Sequence, residues 1–166
     1  MNGFMESWLP ALAAAFGVIG MAAVGGWLTE IGPWYNGLRF PVWKPPNWAF
    51  GPIWTVILTL AAIAIVMLWR ATPEGGPRLL LVGLLLANGV LNVLWNYLFF
   101  TIRRPDLAFL EVIGLWLSIL AIIVFAAQHA TTAAWLFAPY LIWVGIAATL
   151  NLSIVRLNGP FRLSGS

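Results

Sequence analysis

Long charge-free apolar runs, separated by short polar or proline-rich breaks, dominate the chain. The run Leu9 to Leu28 lies between Glu6 and Glu30, a second between Lys44 and Arg70, and a third between Arg78 and Arg103. From Val112 to Val155 no residue carries a formal charge. That stretch is far longer than the roughly 20 residues one bilayer crossing needs. Gln128-His129-Ala130-Thr131-Thr132 divides it. The pattern predicts five spans, at about 9–28, 52–70, 79–102, 107–127 and 133–156. None alternates as a membrane barrel strand does. The expected fold is an all-α, five-helix integral membrane bundle, one domain over residues 1–166. The first span reads as a retained helix, because its leader carries Glu6 and no Lys or Arg, unlike a cleaved secretory signal.

Residues 29–51 form the one long connection. Pro33, Pro41, Pro45 and Pro46 restrict it to extended and turn conformations. Gly51-Pro52 is the expected start of the second helix, and Asp106 the expected N-cap of the fourth. Arg39, Lys44, Arg103, Arg104, Arg156 and Arg162 fall on the long-loop end, against Arg70 and Arg78 on the other. This asymmetry puts the loop and the C-terminus on the cytoplasmic side.

Composition narrows the chemistry. Apolar residues make up 62% of the chain and charged residues 8%, too few charges to coat a soluble fold. With no cysteine there is no disulfide, thiolate metal site or cysteine nucleophile, and one histidine argues against a metal centre. A net charge of +3 is too sparse for a nucleic-acid surface. No phosphate loop, Ser/His/Asp set or acid pair is present, so ordinary acid–base catalysis has no residues to run on. No cofactor is required.

Polar residues within the spans each need a reason. Asn88, Asn92 and Asn96 recur every fourth residue and share one helix face. They serve interhelical hydrogen bonding or form the polar wall of a ligand pocket, and spacing alone does not choose. Asn151 reads as helix–helix bonding. Glu111 reads as a near-interface carboxylate reaching water or Arg103 and Arg104, and His129 as a solvated loop histidine. Of the eleven tryptophans, Trp8, Trp27, Trp69 and Trp135 lie at span ends, where indoles belong in the headgroup belt. Trp116 reads as packing. Trp34, Trp43 and Trp48 suggest a packed aromatic lid, and Trp54, Trp95 and Trp143 a site for a flat aromatic ligand. Gly83 and Ala87 have the small-x-x-x-small spacing of a dimer face, a common and weak signal.

Three blocks together resemble one family. Trp34-Tyr35 followed by Pro41-x-Trp43-x-Pro45-Pro46-x-Trp48-x-Phe50-Gly51-Pro52-x-Trp54 is similar to the loop and second span of the TspO/MBR family, the tryptophan-rich sensory or translocator proteins. Asn92-x-x-Trp95-x-x-x-Phe99-Phe100 resembles its third span, with Asn88 where a glutamine is usual. Pro139-Tyr140-x-x-Trp143-x-x-x-Ala147-x-x-Leu150-Asn151, with Arg156 and Asn158, resembles its fifth.

The resemblance implies a membrane receptor, sensor or carrier, usually a homodimer, binding porphyrins such as protoporphyrin IX and haem, and isoquinoline-type drugs. The ligand would lie between helices beneath the long loop. By position the binding residues are Phe50, Trp54, Asn88, Asn92, Trp95, Trp143, Ala147 and Leu150, with Trp34, Trp43 and Trp48 in the lid. A bacterial membrane is the first expectation and an organelle outer membrane the second. The resemblance also offers light-dependent porphyrin breakdown, in which Trp54 and Trp143 would take part; a structural dimer module without a ligand is a third reading. Leu150 to Arg156 contains no tyrosine, which speaks against cholesterol recognition, and Leu58 stands where the family often has a tyrosine.

Overall fold

The computed structural model describes residues 2–161, with side chains from residue 12 onward. The readings on Glu6, Trp8 and Arg162 fall outside these described side chains. The described chain is helical: α1 (Asn2–Leu28), a short α2 (Pro33–Asn36), α3 (Asn47–Ala71), α4 (Gly76–Asn96), α5 (Pro105–His129) and α6 (Thr131–Asn158). The helices α3 to α6 are each long and apolar enough to cross a membrane, α4 together with the turn that extends it to Thr101. The described apolar part of α1 runs from Leu12 to Leu28.

The five long helices close into a ring. α1 packs on α3 and α4, α3 on α6, α6 on α5, and α5 on α4. The α5–α6 pair has the most extensive contact, because Ala130 alone separates the two helices and folds them back on each other. The surface is inverted relative to a soluble protein. Phe16, Ile63, Leu86, Val90, Leu110 and Ile142 are exposed, whereas Asn88, Asn92 and Asn151 are buried. Apolar side chains outward and amides inward is the arrangement a hydrocarbon solvent selects.

Several boundaries differ from the sequence reading, each for a local reason. α3 begins at Asn47, after Pro46, so Pro52 lies inside the helix and removes one hydrogen bond rather than opening it. α5 runs through Gln128 and His129 instead of ending before them; the His129 ring stacks on Phe125 at 4.2 Å, and its Nδ1 lies 2.9 Å from the Phe125 carbonyl. His129 is therefore a helix-terminal residue and not a solvated loop residue. Asp106 does not cap α5. It lies in the first turn, bound to the Arg104 guanidinium through both oxygens at 2.7 and 2.6 Å.

The third span is not one uniform helix. Tyr97–Thr101 is a π-helical turn. One extra residue per turn rotates the face, so adjacent Phe99 and Phe100 are both buried. The turn ends at Arg103, left-handed at φ 57°, with the Arg104 N–H donating to the Leu98 carbonyl at 3.0 Å.

Candidate functional site

Packing α4 against α5, with Tyr140 and Asn151 reaching across from α6, turns the asparagine stripe into a connected seam. Asn92 Nδ2 donates to the Tyr140 hydroxyl at 2.9 Å, and that hydroxyl donates to Asn88 Oδ1 at 3.3 Å. Asn88 Nδ2 donates to Ser118 Oγ at 2.9 Å, and Ser118 closes on the Leu115 carbonyl at 2.7 Å. Nearer the long loop, Trp95 Nε1 donates to Asn151 Oδ1 at 3.1 Å, while Asn151 Nδ2 donates to the Pro105 carbonyl at 2.8 Å. Asn96 faces α1, where a Cβ on Gly25 would lie 3.4 Å from its amide nitrogen. Thr29 Oγ1 donates to the Gly25 carbonyl at 2.8 Å and lies 3.2 Å from Asn96 Oδ1.

Aromatic rings gather beside this seam. Trp54 meets the Tyr140 ring edge-on at 5.9 Å, and Phe50 meets Trp143 edge-on at 5.6 Å. Trp95 stacks on Phe99 at 5.2 Å, and Trp34 reaches Phe99 from the loop at 5.9 Å. Leu150 is buried in the same cluster as Tyr35, Phe99 and Phe100, and Ala147 is half-buried one turn before it. The fold thus brings Phe50, Trp54, Asn88, Asn92, Trp95, Trp143 and Leu150 to the inner faces of α3, α4 and α6.

The loop is fastened by residues other than the tryptophans expected to pack there. Tyr35 is buried, tilted against Phe40 at 4.9 Å and Phe100 at 5.9 Å. Its hydroxyl donates to Asn47 Oδ1 at 3.4 Å. Burial pushes the Tyr35 phenol above its ordinary value. Lys44 lies over the Phe40 ring at 4.7 Å and donates to Asn47; burial lowers its ammonium below the usual lysine value. Asn158, at the end of α6, grips the Arg39 backbone from both sides: the Arg39 N–H donates to Oδ1 at 2.7 Å, and Nδ2 donates to the Arg39 carbonyl at 2.8 Å. Trp43 and Trp48, by contrast, are 51% and 76% exposed, so only Trp34 of the three lid tryptophans packs inward.

Charges at this end are partly matched. Arg103 lies over the Trp34 ring at 5.8 Å and 3.9 Å from Glu30. A recess of about 10 Å³ opens between Trp34, Tyr35, Phe100, Arg103 and Glu30. A larger apolar groove of about 480 Å³ runs outside the ring between α4 and α5, along Leu80, Leu84, Leu117 and Val124. Glu111 reaches neither Arg103 nor Arg104; both of its oxygens are buried without a hydrogen-bond partner. Trp27 and Trp135 are exposed and Trp69 lies under Arg78, at helix ends. Trp116 packs across α5–α6 against Gly145, where a Cβ would lie 3.5 Å from the indole nitrogen. Gly83 and Ala87 lie exposed on α4.

Tyr140, Tyr35 and Asn158 emerge as organising residues that the sequence reading did not place in the site. Tyr140 was within reach, since Tyr140, Trp143, Ala147 and Asn151 recur at helical spacing on one face. Nothing local marks Asn158 as a clamp, because its partner is Arg39, in the loop before α3.

Residues 11–157 match the TspO/MBR family. The tryptophan-rich sensory protein of Cereibacter sphaeroides is 35% identical over 158 residues, 95% of each chain. The tryptophan-rich protein TspO of Archaeoglobus fulgidus is 31% identical over 152 residues, 90% of this chain and 97% of its own. The translocator protein of Sus scrofa is 32% identical over 158 residues, 91% of each chain.

Proposed function

The chain belongs to the TspO/MBR family, and from that premise we propose that it is a membrane receptor, sensor or carrier for porphyrins, protoporphyrin IX or haem, held between α3, α4 and α6 beneath the long loop. The convergence of Trp54, Trp95 and Trp143 with the Asn92–Tyr140 pair carries this reading. A porphyrin presents an apolar face for indoles, an edge for amides, and carboxylates for cations. The indoles and amides are assembled on the inner helix faces, and Lys44 and Arg103 border the same end.

The rings now touch one another edge to edge. A flat ligand therefore enters by separating Phe50 from Trp143 and Trp54 from Tyr140, which couples binding to movement of the loop and the first turns of α3. On this reading the loop end faces the cytoplasm, which the excess of Lys and Arg there supports.

Titration of the protein in nanodiscs with protoporphyrin IX tests the proposal. Tryptophan fluorescence is expected to quench saturably at low micromolar pigment and to weaken in a Trp54→Phe/Trp143→Phe double variant; an isoquinoline carboxamide should compete. Unsaturable quenching unchanged in that variant would reject the site. Parallel light and dark titrations separate holding from photo-oxidative breakdown: a new chromophore formed only in light, faster than with free pigment, identifies a degrading enzyme. A structural dimer module predicts no thermal stabilisation by any such ligand.

A further inference from the structure

Glu111 stands within two turns of the start of α5, inside a membrane-spanning helix. Both carboxyl oxygens are closed off from solvent and neither has a hydrogen-bond partner. The arginines nearest in sequence are engaged elsewhere, Arg103 toward Glu30 and Arg104 on Asp106. An ionised carboxylate in this position would lack both solvation and a counter-charge.

Helix register shows what surrounds it. Asn88 meets Ser118 across the antiparallel α4–α5 pair, and Gly114 lies against Leu91. Carried one turn toward the loop, the same register sets Glu111 opposite Trp95, whose indole is bound to Asn151 of α6. Asn92 precedes Trp95 by about one turn on the same face of α4, so the acid lies beside the Asn92 end of the Asn88–Tyr140–Asn92 seam.

We propose that Glu111 is a proton-binding site within the bilayer, its carboxyl held as the neutral acid beside the amide seam and ionising only when water or a hydrogen-bond donor enters there. The groups around it leave it no fixed counter-ion. From α4 come Asn92 and Trp95, neither an acid nor a base. From α6 comes Tyr140, already bonded to both asparagines. The π-helical turn contributes Tyr97, which is exposed. On α5 itself Asp106 is paired with Arg104, and the ionisable side chain of α3, Arg70, lies in its last turn at the opposite end. Ionisation leaves a carboxylate with a free demand for donors next to the Asn92 and Trp95 N–H groups, so the seam is where its effect falls.

Infrared difference spectroscopy of the ligand-free protein in bilayers, wild type against Glu111→Gln, tests this without reference to any pigment. The expected result is the carbonyl stretch of an un-ionised carboxyl near neutral pH, shifted in D₂O and missing in Glu111→Gln. A carboxylate stretch at neutral pH with no protonated band overturns the proposal. Should Glu111→Gln fail to fold, the wild type alone answers: a hydrophobic carbodiimide, which attacks protonated buried acids, labels the Glu111 peptide at neutral pH, and no label there overturns it.

Discussion

The phenol of Tyr140 joins two helices at one point, accepting from Asn92 and donating to Asn88. In a bilayer there is little hydrophobic gain from helix association, so such bonds, roughly 0.6 kcal/mol each, weigh heavily in register. Tyr140→Phe keeps the ring against Trp54 but strands both amides, and should cost about 1–2 kcal/mol, read as a lower melting temperature in detergent. Tyr35 gives a second test. Its phenol is raised by burial, so its contribution is complete below the ordinary tyrosine range and is lost as pH climbs through the folded value. Wild-type protein should release its loop to limited proteolysis at alkaline pH, and Tyr35→Phe should show a smaller alkaline increase. The inward asparagines were legible in the sequence because period and polarity coincide on one face. Trp43 and Trp48 were not: an indole suits a lid or an interface equally, and only the packed loop distinguishes them.

At the level of elements, the long loop is tied down by contacts remote in sequence. Asn158 holds the Arg39 backbone from the end of α6, and Lys44 spans Phe40 and Asn47. Loosening the first clamp should speed exchange more than it changes equilibrium binding. Asn158→Ala is therefore expected to raise both association and dissociation rates of protoporphyrin IX in stopped-flow quenching; unchanged rates would show that the loop does not gate entry. The order of the long apolar helices, four of them of crossing length among the described residues, followed from charge-free runs, whose length the bilayer fixes. The π-helical turn at Tyr97–Thr101 did not, since an apolar stretch accommodates an extra residue without a change in composition. The start of α3 was misplaced for a related reason: Pro52 signals a helix start, but Pro46 and Asn47 occupy that role five residues earlier.

For the whole molecule, the ring order α1–α3–α6–α5–α4 sets the aromatic and amide faces of three helices toward one another and leaves apolar faces for lipid. The most direct test of a pigment site among those inner rings uses the pigment as its own probe. Bound protoporphyrin IX, illuminated in air, sensitises dioxygen, which oxidises indoles within reach, and mass spectrometry of the digested protein locates the oxidised residues. The account predicts oxidation of Trp54, Trp95 and Trp143 that saturates with pigment and is suppressed by an isoquinoline competitor, with Trp27 and Trp135 spared. Oxidation confined to the exposed Trp27, Trp48 and Trp135, rising without saturation, would contradict it.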